Sequence, residues 1–520
     1  MSIAAIERQA LRTVTLAPGL TLAGLTASLF ARLWPDVGGK PFQEDEAVAG
    51  LISARPLDDL LHTVVLDRGG APLHFLLVHA ALSLDATPEA LRCVSVVFAL
   101  ATVPLCYDLT RRIARRSAGL IAAALAATSQ LLLIYGTFGR MYSLFAFASA
   151  LAADLFVRAL EQPRSRSTLA AAVAALLPLA VHPFGAFLVA VEAVVALWLW
   201  RGRSLRAALP TLAVALLAVP LLLADLRLSE RYSPKGHNID SGVSTGAATL
   251  QALGGAAGGS GAMLALFVGL AAVGMLTLAR RRPAVAAFAL LTVAVPPPAL
   301  AIARATGLFS GPLAPRHLIF VLPLWIALVA TGAARLGALL PAKARLAAIG
   351  VILAAAALAP SAVSEPRTMP TGAERAVAAP AAWLTRELAP HDVLYPYSPV
   401  FLAALPVARE ARAYSREPVA LARAVKRTGA TDAVFMSIPL DGPVNGSGLR
   451  RAGVRFRAFP SWLILESRGP FSDGTAALES VVKTLGTAAP LVAEARAHAR
   501  AHAYLEQLRV AACVALRRSC

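Results

Sequence analysis

Three consecutive carboxylates, Glu44, Asp45 and Glu46, follow the first apolar stretch of the chain. A carboxylate within hydrogen-bond reach of a hydroxyl group can accept its proton as a general base. Carboxylates are costly in lipid, so an acidic cluster at the end of an apolar span is a functional candidate at the water boundary or in a polar cavity. The same acids also suit the first turn of a solvated helix, where the helix dipole favours negative charge. The residues alone leave both interpretations open.

The composition restricts what could position these acids. Of 520 residues, 57% are hydrophobic and only 15% are charged, whereas soluble domains approach about 25% charged residues. The chain is therefore predicted to be a polytopic membrane protein. Its net charge of +19 is carried by short Lys/Arg clusters between apolar stretches, which is the pattern of cytoplasmic loops beside anionic lipid. Membrane lipid is therefore an expected partner, and nucleic acid is not.

Apolar segments predict about eleven transmembrane helices, since about 20 residues are needed to cross a bilayer. They are residues 15–34, 88–110, 117–137, 141–160, 168–182, 184–200, 205–226, 261–279, 283–303, 316–334 and 345–363. The apolar segment 71–84 is too short to cross and is predicted to be re-entrant or interfacial. The three prolines 296–298 predict a helix that is broken beside a cavity.

The basic clusters predict the orientation of these helices. Five clusters fall in alternate loops: 111–116, 158–166, 201–206, 280–282 and 335–345. By the positive-inside rule, these loops and the N-terminus face the cytoplasm. The loop 35–87, with one or two interfacial helices, then lies outside with the turns at 139–140 and 182–183, the loops 227–260 and 304–315, and all residues after about 364.

From about residue 366 the composition is that of a soluble domain. Helices are predicted at 374–388 and over most of 475–518, and buried strands at 392–395, 432–436 and 461–466. The expected organisation is a membrane region 1–363 and a small extracytoplasmic α/β domain 364–520 with a supporting or acceptor-binding role. In a continuous helix, Cys513 and Cys520 would lie about 10 Å apart, beyond disulfide reach.

Several motifs occur in the order seen in GT-C superfamily glycosyltransferases. They are Asp45-Glu46, Pro72–Leu77, Leu91-Arg92 with Pro104–Tyr107, Gly139–Leu144, His182–Gly185 and Pro315–Ile319. Over residues 15–363 the chain resembles the bacterial family-39-like membrane enzymes, which are relatives of the protein O-mannosyltransferases and of the lipid A aminoarabinose transferase. Family members often carry His-Pro-Pro before the Leu-aromatic helix, whereas this chain has Gly70-Ala71-Pro72 before Leu73. The first histidine and the first proline are therefore missing, and a metal role of that histidine is not carried over to this chain.

The resemblance implies a multi-pass enzyme of the bacterial plasma membrane. Such enzymes transfer a hexosyl or pentosyl group from a polyprenyl-phosphate to a hydroxyl of an envelope glycan, lipid or protein on the outer face. Asp45 would be the base, and Glu46 would orient the acceptor or a metal. The donor phosphate would be bound by residues at the outer ends of spans. These candidates are Arg140, Arg316, His317 and Arg68, with Glu44, Tyr142 and His182 as further acceptor or donor contacts.

Each assignment has a structural alternative. Arg140 and Arg316 also fit interfacial arginines that extend from helix ends to water. His182 and His317 also fit hydrogen-bonded histidines at span ends. The sequence leaves open whether a divalent metal binds at Asp45 and Glu46. Two other classes of function compete with the transferase: a lipid or polymer transporter, and an inactive membrane scaffold.

Overall fold

The structure is a computed structural model. It describes residues 18–67, 71–162, 164–200, 209–220, 223, 245–256, 261–306, 314–358, 373, 376–390, 392–405, 412–413, 431–493 and 499–516. Contacts divide the chain into two units. The first, here the helical unit, comprises residues 1–38, 68–74 and 92–366. The second, here the mixed unit, comprises residues 39–67, 75–91 and 367–520, so most of the predicted outer loop groups with the C-terminal region.

Apolar helices dominate up to residue 358. They are α1 (Pro18–Gly39), α2 (Glu44–Ser53), α3 (Leu57–Leu61), α4 (Leu73–Leu84), α5 (Pro88–Ile113), α6 (Arg116–Thr128), α7 (Gln130–Tyr135), α8 (Tyr142–Glu161), α9 (Ser165–Val181), α10 (Gly185–Trp200), α11 (Leu209–Pro220), α12 (Thr245–Ala256), α13 (Gly261–Arg281), α14 (Pro283–Ala294), α15 (Pro296–Ala305), α16 (Leu322–Gly337) and α17 (Ala342–Leu358). A π-helix covers His62–Asp67, and a 3₁₀ helix covers Pro315–Val321.

Five stretches of the described chain are long and apolar enough to cross a membrane: Pro88–Ile113, Tyr142–Glu161, Gly261–Arg281, Pro283–Ala303 and Pro315–Gly337. Several further helices are apolar but shorter. The predicted helical membrane protein with a small sheet is therefore confirmed in outline, and the count of about eleven spans stays a prediction.

Two predicted spans are interrupted. At the three prolines α14 ends at Ala294 and α15 begins at Pro296, as expected, but Val295 between them keeps a helical conformation. The segment 117–137 was predicted to be continuous, but Ser129 adopts an extended conformation between α6 and α7. The Ser129 side chain makes no capping hydrogen bond to α7.

Two glycines permit a close crossing of α13 and α16. A Cβ atom on Gly332 would overlap the carbonyl oxygen of Leu270, and one on Gly274 would overlap that of Leu328. Helix pairs in membranes commonly pack through such small residues, because backbones can then approach closely. This crossing therefore depends on both glycines.

Four of the five basic clusters meet at one end of the helical unit. Asp154 of α8 accepts hydrogen bonds from Arg112 at 3.0 Å and forms an ion pair with Arg158 at 2.8 Å. Arg282 donates to Glu161 and, at 2.9 Å, to the carbonyl oxygen of Arg112. Arg115 donates to the carbonyl oxygen of Ala334, next to the fifth cluster. This arrangement agrees with the predicted alternation of basic loops, whereas the third cluster lies outside the described residues.

The mixed unit contains a five-stranded sheet. Its strands are β1 (Val393–Tyr395), β2 (Arg412–Ala413), β3 (Thr431–Pro439), β4 (Arg455–Phe459) and β5 (Trp462–Phe471) in the order β2-β1-β3-β5-β4. Strand β1 is parallel to β2 and β3, and the other pairs are antiparallel. Its remaining helices are α18 (Ala378–Glu387), α19 (Pro399–Ala403), α20 (Ser447–Arg451), α21 (Gly474–Ala493) and α22 (Ala499–Ala515).

The three predicted strands and the C-terminal helices are confirmed. Strand β4 was missed because it is mostly exposed, with arginines at 455 and 457. The prediction that Cys513 lies beyond disulfide reach in a continuous helix was wrong, because α22 ends at Ala515 and Cys513 is disulfide-bonded.

Helix α2, which carries the three acids, packs inside the mixed unit. A Cβ atom on Gly50 would lie only 2.5 Å from Leu402 Cδ1 of α19, so the two helices are in close contact. Arg55, just after α2, donates a 3.0 Å hydrogen bond to the hydroxyl of Tyr397. The C-terminal region therefore fixes the position of α2.

Candidate functional site

Arg140 lies in a tight turn between α7 and α8. The hydroxyl of Ser95 on α5 is 2.7 Å from the carbonyl oxygen of Phe138 and 3.2 Å from that of Arg140. The Ser143 hydroxyl donates a 2.7 Å bond to the carbonyl oxygen of Tyr135. Serines on both sides thus satisfy the carbonyl groups that the turn leaves without helical partners, and they hold Arg140 in place.

His182 follows α9 directly in the turn that leads to α10. Its Nδ1 accepts a 3.1 Å hydrogen bond from the backbone N–H of Phe184. The turn is tight, since a Cβ atom on Gly185 would overlap the backbone of Pro178. A nitrogen that accepts a hydrogen bond carries no proton, so the neutral ring carries its proton on Nε2.

His317 lies in the first turn of the 3₁₀ helix Pro315–Val321. Its Nδ1 accepts a 3.1 Å hydrogen bond from the backbone N–H of Ala314, which precedes the helix. The ring therefore acts as the acceptor of a helix cap, and its Nε2 is again the protonated atom. Both histidines thus cap their own turns and retain a hydrogen-bond donor at Nε2.

These residues converge on the start of α8. The ring centroids of His182 and His317 are 5.8 Å apart, and each lies within 6.4 Å of the Tyr142 ring. The Arg316 guanidinium lies 5.7 Å from the centre of the Tyr142 ring. Phe145 stacks on His182 at 5.1 Å. Four predicted site residues, Tyr142, His182, Arg316 and His317, are therefore brought together.

The electrostatics of the cluster keep its histidines neutral. Burial lowers the pKa of His182 to about 3, helped by the charges of Arg140 and Arg316. Burial and the charge of Arg140 also lower the pKa of His74 to about 3, against a hydrogen bond with the backbone of Gly139. The cluster therefore combines two cationic guanidinium groups with neutral N–H donors, an arrangement that suits a phosphate group.

Sequence reasoning missed His74 and Phe145 as members of this cluster. His74 is buried, and its only sequence signal was a histidine directly after Pro72-Leu73 at the start of a short apolar helix. Phe145 had no signal, because an aromatic residue in an apolar span usually belongs to the core.

The length of α8 sets the scale of the helical unit. Tyr142 at its start belongs to the group formed with Arg140, His182, Arg316 and His317, here the Arg/His cluster. Asp154 and Glu161 near its end pair with the arginines of the basic clusters, here the basic network. Its 20 residues span about 30 Å at 1.5 Å per residue, which is the thickness of the hydrocarbon core. Along α8, Asp154 therefore lies about 18 Å and Glu161 about 28 Å from Tyr142.

The three acids form the first turn of α2 in the mixed unit. Glu46 is buried, and its Oε2 accepts a 3.0 Å hydrogen bond from the backbone N–H of Gln43, the residue before the helix. This is the geometry of a capping box. Glu44 and Asp45 are half-buried. The helix-capping interpretation therefore describes Glu46, and the role of Asp45 as a base stays a prediction.

The remaining assignments concern Arg68 and a metal. Arg68 lies outside the described residues. Within the described part of the chain, no group of three His, Cys, Asp or Glu side chains could hold a metal ion. In His182 and His317 the Nε2 atom is protonated, so neither ring offers it to a metal in this arrangement. A cation at Asp45 and Glu46 would thus depend on oxygen ligands from substrate or water.

Comparison with solved structures identifies the fold. ArnT from Cupriavidus metallidurans superposes in its apo state with a TM-score of 0.52 at 12% identity, over 87% of this chain and 98% of that chain. The chain shares the fold of ArnT. The structure of the same protein bound to undecaprenyl phosphate gives a TM-score of 0.52 at 13% identity, over 86% and 97% of the two chains.

Other comparisons are more distant or partial. The archaeal oligosaccharyltransferase AglB from Archaeoglobus fulgidus, solved with an inhibitory peptide and a dolichol-phosphate, matches with a TM-score of 0.48 at 12% identity, over 80% of this chain and 69% of that chain. A family model described as dolichyl-phosphate-mannose-protein mannosyltransferase matches residues 69–226, which include Arg140, Tyr142 and His182. No curated protein matches the sequence. The family match covers residues 69–226, and the likeness to ArnT shows the fold.

Proposed function

We propose that this protein transfers a sugar from a polyprenyl-phosphate donor to a hydroxyl acceptor on the outer face of the bacterial plasma membrane. The acceptor is an envelope glycan, lipid or protein. The observation that carries the proposal is the Arg/His cluster at one end of α8, where Arg316 lies over Tyr142 beside two Nε2–H donors. In addition, a protein of the same fold has been solved with undecaprenyl phosphate.

The proposed topology has the N-terminus inside, about eleven spans, and residues 364–520 outside. The meeting of four basic clusters at one end of the helical unit supports it, because cytoplasmic loops carry the excess of Lys and Arg. The disulfide-bonded Cys513 agrees with an oxidising compartment outside the cytoplasm. Reporter fusions after Arg282 and Glu387 should therefore report opposite sides, and the same side for both would refute this topology.

In the proposed reaction the acceptor oxygen attacks the anomeric carbon of the donor sugar. The bond from that carbon to the phosphate oxygen breaks, and its electron pair leaves with the polyprenyl phosphate. Arg140 and Arg316 stabilise the charge that develops on the leaving phosphate, since forked guanidinium groups bind phosphate oxygens in pairs. The Nε2–H groups of His182 and His317 donate further hydrogen bonds without adding charge.

The acceptor proton needs a base. We assign this role to Asp45, whose carboxylate would take the proton as the new bond forms. Glu46 would then act mainly through the fold, because its Oε2 already accepts the N–H of Gln43. Its loss should therefore disturb the first turn of α2 before it affects proton transfer.

The test uses full-length protein in lipid nanodiscs with undecaprenyl phosphate and radiolabelled polyprenyl-phosphate sugars. Arg140→Ala and Arg316→Ala should each weaken binding of undecaprenyl phosphate by about 10- to 150-fold, since a hydrogen bond to a charged group contributes about 1.5–3 kcal/mol. Arg140→Lys should recover only part of this loss because the forked geometry is absent.

The matched control is Arg166→Ala, which removes an exposed arginine near the other end of the helical unit. It should bind the lipid like the wild type. Unchanged affinity for undecaprenyl phosphate in both Arg140→Ala and Arg316→Ala would show that these residues are only interfacial anchors. Movement of lipid across the membrane without sugar transfer would instead favour a transporter.

A further inference from the structure

A cavity lies in the mixed unit, about 12 Å along α2 from Asp45 by the rise of the helix. It measures about 310 Å³, at the lower end of the range of small-molecule pockets. Its walls are formed by residues at the C-terminal ends of α2 and α4 and by Leu405. The lining residues include Ser53, Arg55, His79, Leu82, Ala86 and Leu405.

Two polar side chains of this cavity are prepared for a ligand. The Nδ1 of His79 lies 2.8 Å from the carbonyl oxygen of Ser53 and must donate, because a carbonyl oxygen only accepts. In the neutral ring, Nε2 is then a hydrogen-bond acceptor. The Ser53 hydroxyl is fully buried and has no hydrogen-bond partner within the described part of the chain. Because Ser53 has no exposed surface, a ligand bond at its hydroxyl requires a small shift of the cavity wall, and that bond would remove the cost of the unpaired hydroxyl.

The charge of the cavity disfavours an anion. Arg55 is buried and forms an ion pair with Asp59 at 3.4 Å, and it also donates to Thr63 and Tyr397. Its charge is therefore largely compensated. Helix α2 ends at Ser53 and α4 at Leu84, and helix C-termini carry partial negative charge. Both effects favour a neutral ligand that donates hydrogen bonds.

The rest of the lining is apolar and includes Pro56, Leu82 and Leu405, of which the two leucines are buried. A few oriented polar groups on an apolar wall are typical of small-molecule sites. A sugar ring matches this surface, because it has hydroxyl groups at its edge and C–H groups on its faces.

We propose that this cavity binds a neutral sugar residue of the acceptor, so that the preferred acceptor is a glycan. Its role as an acceptor site rests on the proposed function. Ser53 and the Nε2 of His79 bind sugar hydroxyls, and the apolar wall packs against the ring. The site contacts the acceptor away from the reacting hydroxyl and contributes to acceptor selection.

The experiment uses full-length protein in nanodiscs and saturation-transfer difference NMR. The probes are neutral disaccharides of mannose, glucose, galactose and arabinose, with glucuronic acid as an anionic comparison. Ser53→Ala removes a hydroxyl that has no described partner, so the fold should tolerate it while sugar affinity falls by about 2- to 10-fold. Ala86→Trp fills the cavity and should abolish binding. Ala80→Trp adds the same side chain at an exposed position of α4 and should bind like the wild type.

The proposal is overturned if no neutral disaccharide binds, if only glucuronic acid binds, or if binding survives Ala86→Trp. Binding of undecaprenyl phosphate is measured on the same samples. Loss of lipid binding with intact sugar binding counts against the proposed function alone. Intact lipid binding without sugar binding counts against the cavity alone.

Discussion

Two substitutions of His182 should separate its two hydrogen bonds. Asparagine places an acceptor oxygen near the position of Nδ1, and glutamine places an N–H donor near the position of Nε2. His182→Asn should therefore keep the 3.1 Å bond from the N–H of Phe184 and lose the donor to phosphate. His182→Gln should keep the donor and lose the cap.

The two bonds have different magnitudes. A donor to a charged phosphate contributes about 1.5–3 kcal/mol, so His182→Asn should weaken binding of undecaprenyl phosphate by about 10- to 150-fold. A lost cap costs about 0.5–2 kcal/mol, which corresponds to amide exchange about 2- to 30-fold faster at Phe184. His182→Gln should show this local effect while its lipid affinity stays within a few-fold of the wild type.

Lipid affinity is measured by microscale thermophoresis on protein in nanodiscs. Local opening is measured by hydrogen exchange on a peptide that covers residues 182–187. The opposite pattern, with normal affinity in His182→Asn and lost affinity in His182→Gln, would show that the ring acts only by capping its turn. His317 caps Ala314 in the same way, so the same pair of substitutions there provides an independent repeat.

Asp45→Asn should lower turnover by about 10²–10⁴-fold with unchanged lipid affinity, and near-normal turnover there with loss in Glu46→Gln would reassign the base. Gly332→Ala should destabilise the protein by about 1–3 kcal/mol through overpacking. The control Gly269→Ala should not destabilise the protein, because Gly269 has open space around it. Equal melting temperatures of the two variants would refute the close crossing. The folded-state pKa of His182 is lowered to about 3, so its neutral ring contributes stability above about pH 6.5 that is lost as the pH falls towards 3. The melting temperature of His182→Asn should therefore depend less on pH between pH 6.5 and 4 than that of the wild type.

Features that depend on local pattern could be predicted from the sequence. Apolar length predicted the five stretches that are long enough to cross a membrane, and the prolines at 296–298 predicted the boundary between α14 and α15. Strands β1, β3 and β5 were predicted because they are buried runs of apolar residues. These signals are reliable because hydrophobicity and proline act on the chain segment that contains them.

Features that depend on distant partners could not be predicted. Helix α12 lies where a loop was expected, and Ser129 interrupts a span without proline or glycine. The buried position of His74 depends on the turn at Gly139, which is far away in sequence. Similarly, a glutamate at position 46 fitted a catalytic role and a capping role equally well. Only the distance from its Oε2 to the N–H of Gln43 identified the cap.

The contacts of α2 give the C-terminal region a physical role. An α-helix transmits a displacement along its length because its hydrogen bonds make it stiff, so the position of Asp45 depends on what holds the other end of α2. That end packs at Gly50 against Leu402 and is followed by Arg55, which donates to Tyr397. Leu402 and Tyr397 belong to the segment that follows β1. The hydrophobic core that contains β1 also contains residues of α21 and α22. Packing changes in the C-terminal region should therefore move the acidic turn even though that region contributes none of the three acids.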